Sequence, residues 1–404
     1  MRTRPERKSP RFGANYVPSS GWFYSWLDFD ADAVRRDFAD LAALGLDHVR
    51  IFPIWPWIQP NRGLIRARAI DDVLTMIDCA AEFDLDVSVD LIQGHLSSFD
   101  FLPSWVLTWH QASVFTDSTV RSGLNEYVRV LAGAVASREN VFAITLGNEV
   151  NNLWPANPTD LADSRSWAIE LLGAARAAAP GLLHVHSLYD DAFYAPKHPF
   201  GAADAAELGD LTSVHSWVFN GVSDVDGPLG PATLSHADYL VELAQAVATT
   251  PDRPVWLQEF GAPRPDIPAD LAGQFTTATI EHMLHNPALF GVTWWCSHDI
   301  DRALKDFPDR EYDLGLFTVD HQRKPAAQAI ADLIAGGPRG QTTRPALVCP
   351  VDPAEPTTRD TFAPGSPFHR AWVARRVDGP IALVPPGKAD DADYLAVRGL
   401  RCGG

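Results

Sequence analysis

The chain has 404 residues, 46% of them hydrophobic and 21% charged, with 33 Lys and Arg against 51 Asp and Glu for a formal net charge of −18. Such a length holds one large domain with a small extension, and the apolar content is ample for a core, so a disordered chain is excluded. The acidic balance argues against nucleic acid and against an anionic membrane surface, which both reward a basic face, and favours a neutral substrate.

Residues 1–11 are basic but precede no apolar stretch of the kind a secretory signal needs. No run reaches the roughly 18 apolar residues of a membrane span. Cys79, Cys296, Cys349 and Cys402 are widely spaced without a C-x-x-C pair, which reads as reduced thiols and a cytoplasmic location.

From there the chain alternates between short apolar strands and longer amphipathic segments. The strands fall at 12–15, 48–52, 87–92, 142–146, 183–187, 212–215, 255–258 and 292–296. Helical patterns lie between them at 32–44, 69–83, 120–136, 160–179, 237–248, 269–284 and 326–334, with only a weak candidate at 202–208 between the fifth and sixth strands. Eight strands alternating with helices predict a closed parallel (β/α)8 TIM barrel over residues 1–337. An open doubly wound sheet is the rival, but no glycine-rich phosphate turn supports it. Pro, Gly and Thr concentrate at 338–361, and the segment 338–404 reads as a small C-terminal α/β extension, with strands at 346–351 and 381–384 and helices at 367–376 and 390–397.

Two glutamates stand out because each ends an apolar run: Val141-Phe-Ala-Ile-Thr-Leu-Gly-Asn-Glu149 and Pro254-Val-Trp-Leu-Gln-Glu259-Phe-Gly. A carboxylate at the end of a buried strand is costly unless it has partners, so such a position is usually kept for chemistry. About three βα repeats separate them, which places them on the fourth and seventh strands. There they face each other across the mouth of a barrel and suit the paired carboxylates of glycoside cleavage. The carboxyl ends of the other strands carry Arg50, His95 in Gln93-Gly-His, Asn148, His215 in His215-Ser-Trp217, and Trp294-Trp295.

This order of residues resembles glycoside hydrolase family 5 and its clan of retaining barrel glycosidases over roughly residues 12–336. The resemblance implies Glu259 as nucleophile and Glu149 as acid/base, with no cofactor and no metal. It implies that Asn148 binds the sugar 2-hydroxyl, that Arg50 holds Glu259 ionised, that His95 and His215 bind hydroxyls or orient carboxylates, and that Trp295 (or its neighbour Trp294) floors the sugar site. The family has a Tyr two residues after the histidine of the sixth strand, bonded to the nucleophile; Trp217 stands there in this chain. Gly13-Ala-Asn-Tyr-Val-Pro-Ser-Ser-Gly-Trp, Gln93-Gly-His-Leu-Ser-Ser-Phe-Asp100 and Trp294-Trp-Cys-Ser-His-Asp299 further resemble the bacterial subfamily 18, associated with β-mannoside cleavage. That implies an oligosaccharide or glycoside partner, an exo-acting β-mannosidase, and a role for loop residues such as Asp28, His298 and Asp299 in closing the cleft. An endo-mannanase or β-glucanase is the alternative within the family, and a homo-oligomer is left open.

Bland readings compete at several positions. Asp28 and Asp30 precede a helix and suit N-capping. Of the 13 Trp, core packing accounts for most, with Trp105, Trp109, Trp154 and Trp217 as candidates for a sugar cleft. His184-Val-His186 puts two imidazoles on one strand face, as a metal-dependent barrel hydrolase would. A non-catalytic sugar-binding barrel is the third reading, disfavoured by the presence of both carboxylates.

Overall fold

The computed structural model describes residues 10–108, 112–337 and 343–401; Trp109 and Cys402 lie outside them. Eight parallel strands close into a barrel: β1 (Arg11–Asn15), β2 (His48–Ile51), β3 (Asp86–Ile92), β4 (Val141–Gly147), β5 (Leu183–His186), β6 (Leu211–Ser216), β7 (Val255–Phe260) and β8 (Leu289–Trp294). Each pairs with its sequence neighbours, and β8 closes on β1 through Arg11 opposite Gly291 and Ala14 opposite Trp294. The helices α1 (Ala31–Ala43), α2 (Ala67–Glu82), α3 (Ser118–Val135), α4 (Leu161–Ala178), α5 (Ala202–Glu207), α6 (Pro231–Val247), α7 (Ala272–Met283) and α8 (Pro325–Ala335) follow the strands in order. Strands covered on both faces are buried along nearly their whole length, with only Phe12, Phe142, Leu183 and Phe290 partly exposed, which explains their nearly unbroken apolar runs.

Local chemistry sets the element starts. Asp30 caps α1 by accepting the backbone N–H groups of Asp32 and Ala33, and Asp117 and Asp160 cap α3 and α4 in the same way. Capping therefore accounts for Asp30. The strand β8 begins three residues earlier than the sequence pattern predicts and leaves the ladder at Trp294. Beyond that point Trp295 N–H bonds the Phe260 carbonyl and Cys296 N–H the Leu314 carbonyl, so loop partners replace strand partners. The helix α6 begins six residues before its predicted start. Polar residues such as His236, Asp238 and Glu242 interrupt the apolar pattern, yet every one of them is buried.

Those buried acids are where the C-terminal segment docks. Residues 343–401 form a parallel three-stranded sheet, with β9 (Arg344–Val348) between β10 (Ala382–Val384) and β11 (Leu400–Arg401), and helices α9 (Pro367–Arg376) and α10 (Ala392–Val397). The two-residue β11 is too short to leave a pattern in the sequence. Glu242 pairs with Arg344 and with Arg398 (3.0 Å), and Arg376 bonds Asp238 at 2.6 Å. Phe362, Trp372, Ile381 and Leu383 join the same apolar cluster as the barrel. No helix among the described residues is long and apolar enough to cross a membrane.

Candidate active site

The carboxyl ends of the strands surround a cavity of about 350 Å³ whose lining includes His95, Asn148, Glu149, Trp217, Glu259 and Trp295. Arg50 organises its floor. From β2 the fully buried guanidinium forks onto Asp90 of β3, donates from Nη1 to Glu259 Oε1 (2.6 Å) and Asn15 Oδ1 (3.0 Å), and from Nη2 to Asn148 Oδ1 (2.8 Å). A planar donor fork of this kind suits several acceptors held at fixed angles. Asp90 and Asn15 are site residues that the sequence reading missed; the signal was a charged residue inside the apolar run Val-Asp-Leu-Ile of β3.

Asn148 is held at both ends of its amide, since Nδ2 donates to the His95 carbonyl (3.0 Å) while Oδ1 accepts from Arg50. Its second N–H is left for the cavity. Glu149 follows with a left-handed backbone, φ 43°, and opens the short turn Val150–Leu153. Non-glycine residues in that conformation concentrate at functional positions. Its Oε2 accepts from Asn152 Nδ2 at 3.0 Å. Glu259 sits on β7, and Gly261 just beyond it lets β8 approach: a Cβ there would lie 2.7 Å from the Trp295 carbonyl oxygen.

His215 joins the two acids. Its Nδ1 lies 2.6 Å from Glu149 Oε1 and 3.3 Å from Glu259 Oε2, while Nε2 is 3.0 Å from the Ser187 hydroxyl. One oxygen of each glutamate and the His215 nitrogen all fall within 4.8 Å of one another. Burial pulls the imidazole below its usual value, and on the side away from the acids Nε2 also lies 3.3 Å from Gln258 Oε1. Burial likewise pushes both carboxyls up to about 7. For Glu149 the charges of His95 and Arg50 oppose that rise; for Glu259 His215 and Arg50 oppose it and the charge of Glu149 adds to it. Two acids this close and this buried share a proton near neutral pH.

The other expected residues separate cleanly. Trp295 faces the cavity, whereas Trp294 packs edge-on against Phe260 and donates its indole N–H to the Leu314 carbonyl. The Trp217 indole acts on Glu149, lowering its pKa. His95 lines the cavity with Nδ1 2.8 Å from Asp100; burial pulls it down, but Asp100 and Glu149 outweigh that and hold it above its ordinary value. Asp299 does not line the cavity. It accepts from Lys324 Nζ (2.6 Å) and Gly315 N–H (2.8 Å), bracing the loop after β8, because an ion pair was available on the far side of that loop. Asp28 is absent from the lining too, and His298 is buried against Asp37 and Asp40. Trp105 packs on Trp55, and Trp154 on His198.

The metal-hydrolase arrangement is not assembled. Val185 packs inside the barrel with Ala143, Leu211 and Trp256, so its neighbours His184 and His186 project to the opposite, helix-facing side. There His184 meets Asp210 and His186 lies by Phe200. The sequence reading also missed Ser97, Ser98, Tyr189, Phe219, Asn220, Arg310 and Glu311, all lining the cavity from loops without strand or helix periodicity.

Taken with the relatives that share it, this fold defines a glycoside hydrolase built on a (β/α)8 barrel. A glutamate-to-alanine variant of GH5_18 from Streptomyces cattleya, solved in complex with Manβ1-4GlcNAc, is 49% identical, with 97% of this chain and 98% of that chain covered at a TM-score of 0.92. A GH5_18 from Bifidobacterium longum subsp. infantis is 40% identical over 97% of this chain and 95% of that chain, again at 0.92. The exo-β-1,4-mannosidase Op5Man5 from Opitutaceae bacterium strain TAV5, 23% identical with 93% of this chain and 69% of that chain covered at 0.75, shares the fold. No protein-family model and no curated protein matches the chain. The chain belongs to glycoside hydrolase family 5, subfamily 18.

Proposed function

We propose that the chain is a retaining, exo-acting β-mannosidase that releases the terminal mannosyl unit of short β-mannosides such as Manβ1-4GlcNAc. The observation that carries the mechanism is the approach of the Glu149 and Glu259 carboxyls, with an oxygen of each within 4.8 Å. Retaining enzymes hold the two groups about 5–5.5 Å apart, whereas inverting ones leave room for a water. The substrate class rests on the complexes with Manβ1-4GlcNAc formed by relatives that are 49% and 38% identical.

In this mechanism Glu259 attacks the anomeric carbon as Glu149 gives its proton to the departing oxygen, leaving an α-linked glycosyl-enzyme. Glu149, now a carboxylate, takes a proton from water, which attacks the same carbon and releases Glu259 with the β configuration restored. Arg50 keeps Glu259 ionised for the first step. Burial keeps Glu149 protonated until the leaving group needs the proton. The free N–H of Asn148 meets the sugar 2-hydroxyl, and His215 holds both acids at their spacing.

Exo action is supported by the wall behind the cavity. Loops after β1, β3 and β8 meet there in an aromatic cluster, with Trp22 4.8 Å from Phe307 and 5.6 Å from Phe99, and Phe307 5.5 Å from Tyr312. The three described cysteines are free and buried, which suits a reducing, cytoplasmic setting. We treat residues 338–404 as an extension serving the barrel, because its arginines neutralise acids of α6.

A panel of aryl β-mannoside, β-glucoside, β-galactoside and β-xyloside tests the reading, with Glu259→Ala plus azide as the companion reaction. Selective mannoside turnover and an α-mannosyl azide product are expected. Near-normal activity in Glu259→Ala or Glu149→Ala overturns the mechanism, and a preference for another sugar overturns the specificity.

A further inference from the structure

His298 lies just beyond Trp295 in sequence but turns away from the cavity. Fully buried, it faces two acids of α1, Asp37 and Asp40, and a second imidazole, His321, from farther along the same loop. None of the four lines the catalytic cavity. Asp37 Oδ2 accepts from the Tyr16 hydroxyl (2.8 Å) and from the Ser19 N–H (3.1 Å). Its Oδ1 is closed to solvent and has no hydrogen-bond partner; it looks at His298 Nε2 from 3.8 Å and at His321 Nδ1 from 4.0 Å. Asp40 Oδ2 stands 3.4 Å from the same His298 nitrogen and 2.6 Å from the same His321 nitrogen. Among the described residues neither acid has a Lys or Arg partner.

The proton on His298 is placed by its neighbour. The Ser297 hydroxyl lies 2.8 Å from the Val17 carbonyl, which can only accept, so its hydrogen is given there. The 3.2 Å contact of the same oxygen with His298 Nδ1 therefore needs the N–H on Nδ1. A neutral imidazole held in this way aims the lone pair of Nε2 at two carboxylates. Acceptors that converge with no hydrogen between them repel one another unless a cation stands at their centre. An imidazolium would place a charge in full burial with no carboxylate oxygen of the pair nearer to Nε2 than 3.4 Å.

We propose that Asp37, Asp40, His298 and His321 bind a divalent cation of the zinc class, which clamps the loop after β8 to α1. Zinc takes four such ligands at about 2.0–2.2 Å in a tetrahedron, whose corners lie about 3.3–3.5 Å apart. The separations of 3.4, 3.8 and 4.0 Å need only small contractions to reach that figure. The short His321–Asp40 contact is a hydrogen bond; the cation takes the place of its hydrogen, and the ring keeps its N–H on Nε2. Two imidazoles select zinc over magnesium or calcium, which prefer oxygen, and two carboxylates balance its charge. Tyr16 and Ser19 already orient Asp37, and Ser297 orients His298, as outer partners of a metal site do. The cation enters from the side of His321, which is 34% exposed. It braces the loop from outside the barrel mouth, so the inference holds whichever sugar the enzyme cleaves.

The test is equilibrium dialysis of zinc against the untagged full chain, first stripped with a chelator, with the visible spectrum of the Co2+ form as a report of geometry. Wild type is expected to take up one zinc per chain and to give the intense absorption of tetrahedral cobalt. Glu259→Ala is expected to do the same, which separates this site from the catalytic carboxylates. His321→Ala and Asp40→Asn are expected to weaken zinc by about 100-fold or more, at least the upper end of what losing an outer partner costs. Zinc at 100 times its Kd should raise the wild-type Tm by about 3 °C and leave both variants unmoved, and melting without zinc checks their folding. A wild-type chain that takes up no zinc, or gives an octahedral cobalt spectrum, overturns the inference. So does uptake that survives in both variants or is lost in Glu259→Ala, since the metal then sits elsewhere.

Discussion

Replacing Arg50 by Met probes the centre of the site. The substitution keeps the volume but removes the cation that bridges Asp90 and Glu259, leaving two buried carboxylates without this ion pair. Breaking a buried pair by deleting one partner costs about 3–5 kcal/mol. Unfolding entropy near 2.1 cal/mol/K per residue over 404 residues turns that cost into a fall in Tm of about 4–6 °C. The catalytic consequence is separate. The Arg50 charge opposes the rise of the Glu259 pKa, and an opposite charge at this range is worth about 1–3 pKa units. Glu259 must be ionised to attack, so it governs the acid limb of the kcat/KM profile. Without Arg50 that limb moves about 1–3 units to higher pH, and activity on its acid side falls by about 10- to 1,000-fold. The assay is a pH series of kcat/KM on an aryl β-mannoside for wild type, Arg50→Met and Arg50→Lys, with melting curves beside it. Arg50→Lys restores the charge without the fork, so its limb lies between the other two. An acid limb in Arg50→Met that coincides with wild type would refute the assignment of Glu259 and its control by Arg50.

Trp217→Phe removes an indole N–H that lowers the Glu149 pKa, so that pKa rises and the basic limb of the same profile moves to higher pH; an unmoved limb, or one shifted down, contradicts the placement of Trp217 at the acid/base. Arg398→Met strips one of two arginine partners from the fully buried Glu242, leaving Arg344 in place, and is expected to cost about 1.5–3 kcal/mol in denaturant unfolding, with kcat per folded molecule unchanged. Asp47, held at about 2 despite burial by His48 and Arg11, has a folded pKa below its ordinary 3.8. Its stabilisation of about 2 kcal/mol is therefore complete above pH 4 and lost as pH falls toward 2, and urea midpoints of Asp47→Asn should converge on wild type across that window.

The sequence alone determined the barrel, because strands buried on both faces and helices with one apolar stripe leave periodic patterns that survive without contacts. It also determined which strands carry Glu149 and Glu259, since each acid ends an apolar run that no ordinary packing explains. Arg50 and Asn148 were legible for the same reason. Whether Trp294 or Trp295 turns to the cavity was not, because neighbours on a strand take opposite faces and the choice depends on register with β7 and on the loop partners beyond it. Asp299 illustrates the converse: an acid in the right loop was claimed by Lys324, a pairing visible only once residues 25 apart had met. Glu311 and Ser97 lie on irregular loops that carry no periodic signal, so nothing local marks them. Only the tertiary structure decided that they share one cavity, because closing a barrel brings the ends of strands distant in sequence to the same mouth.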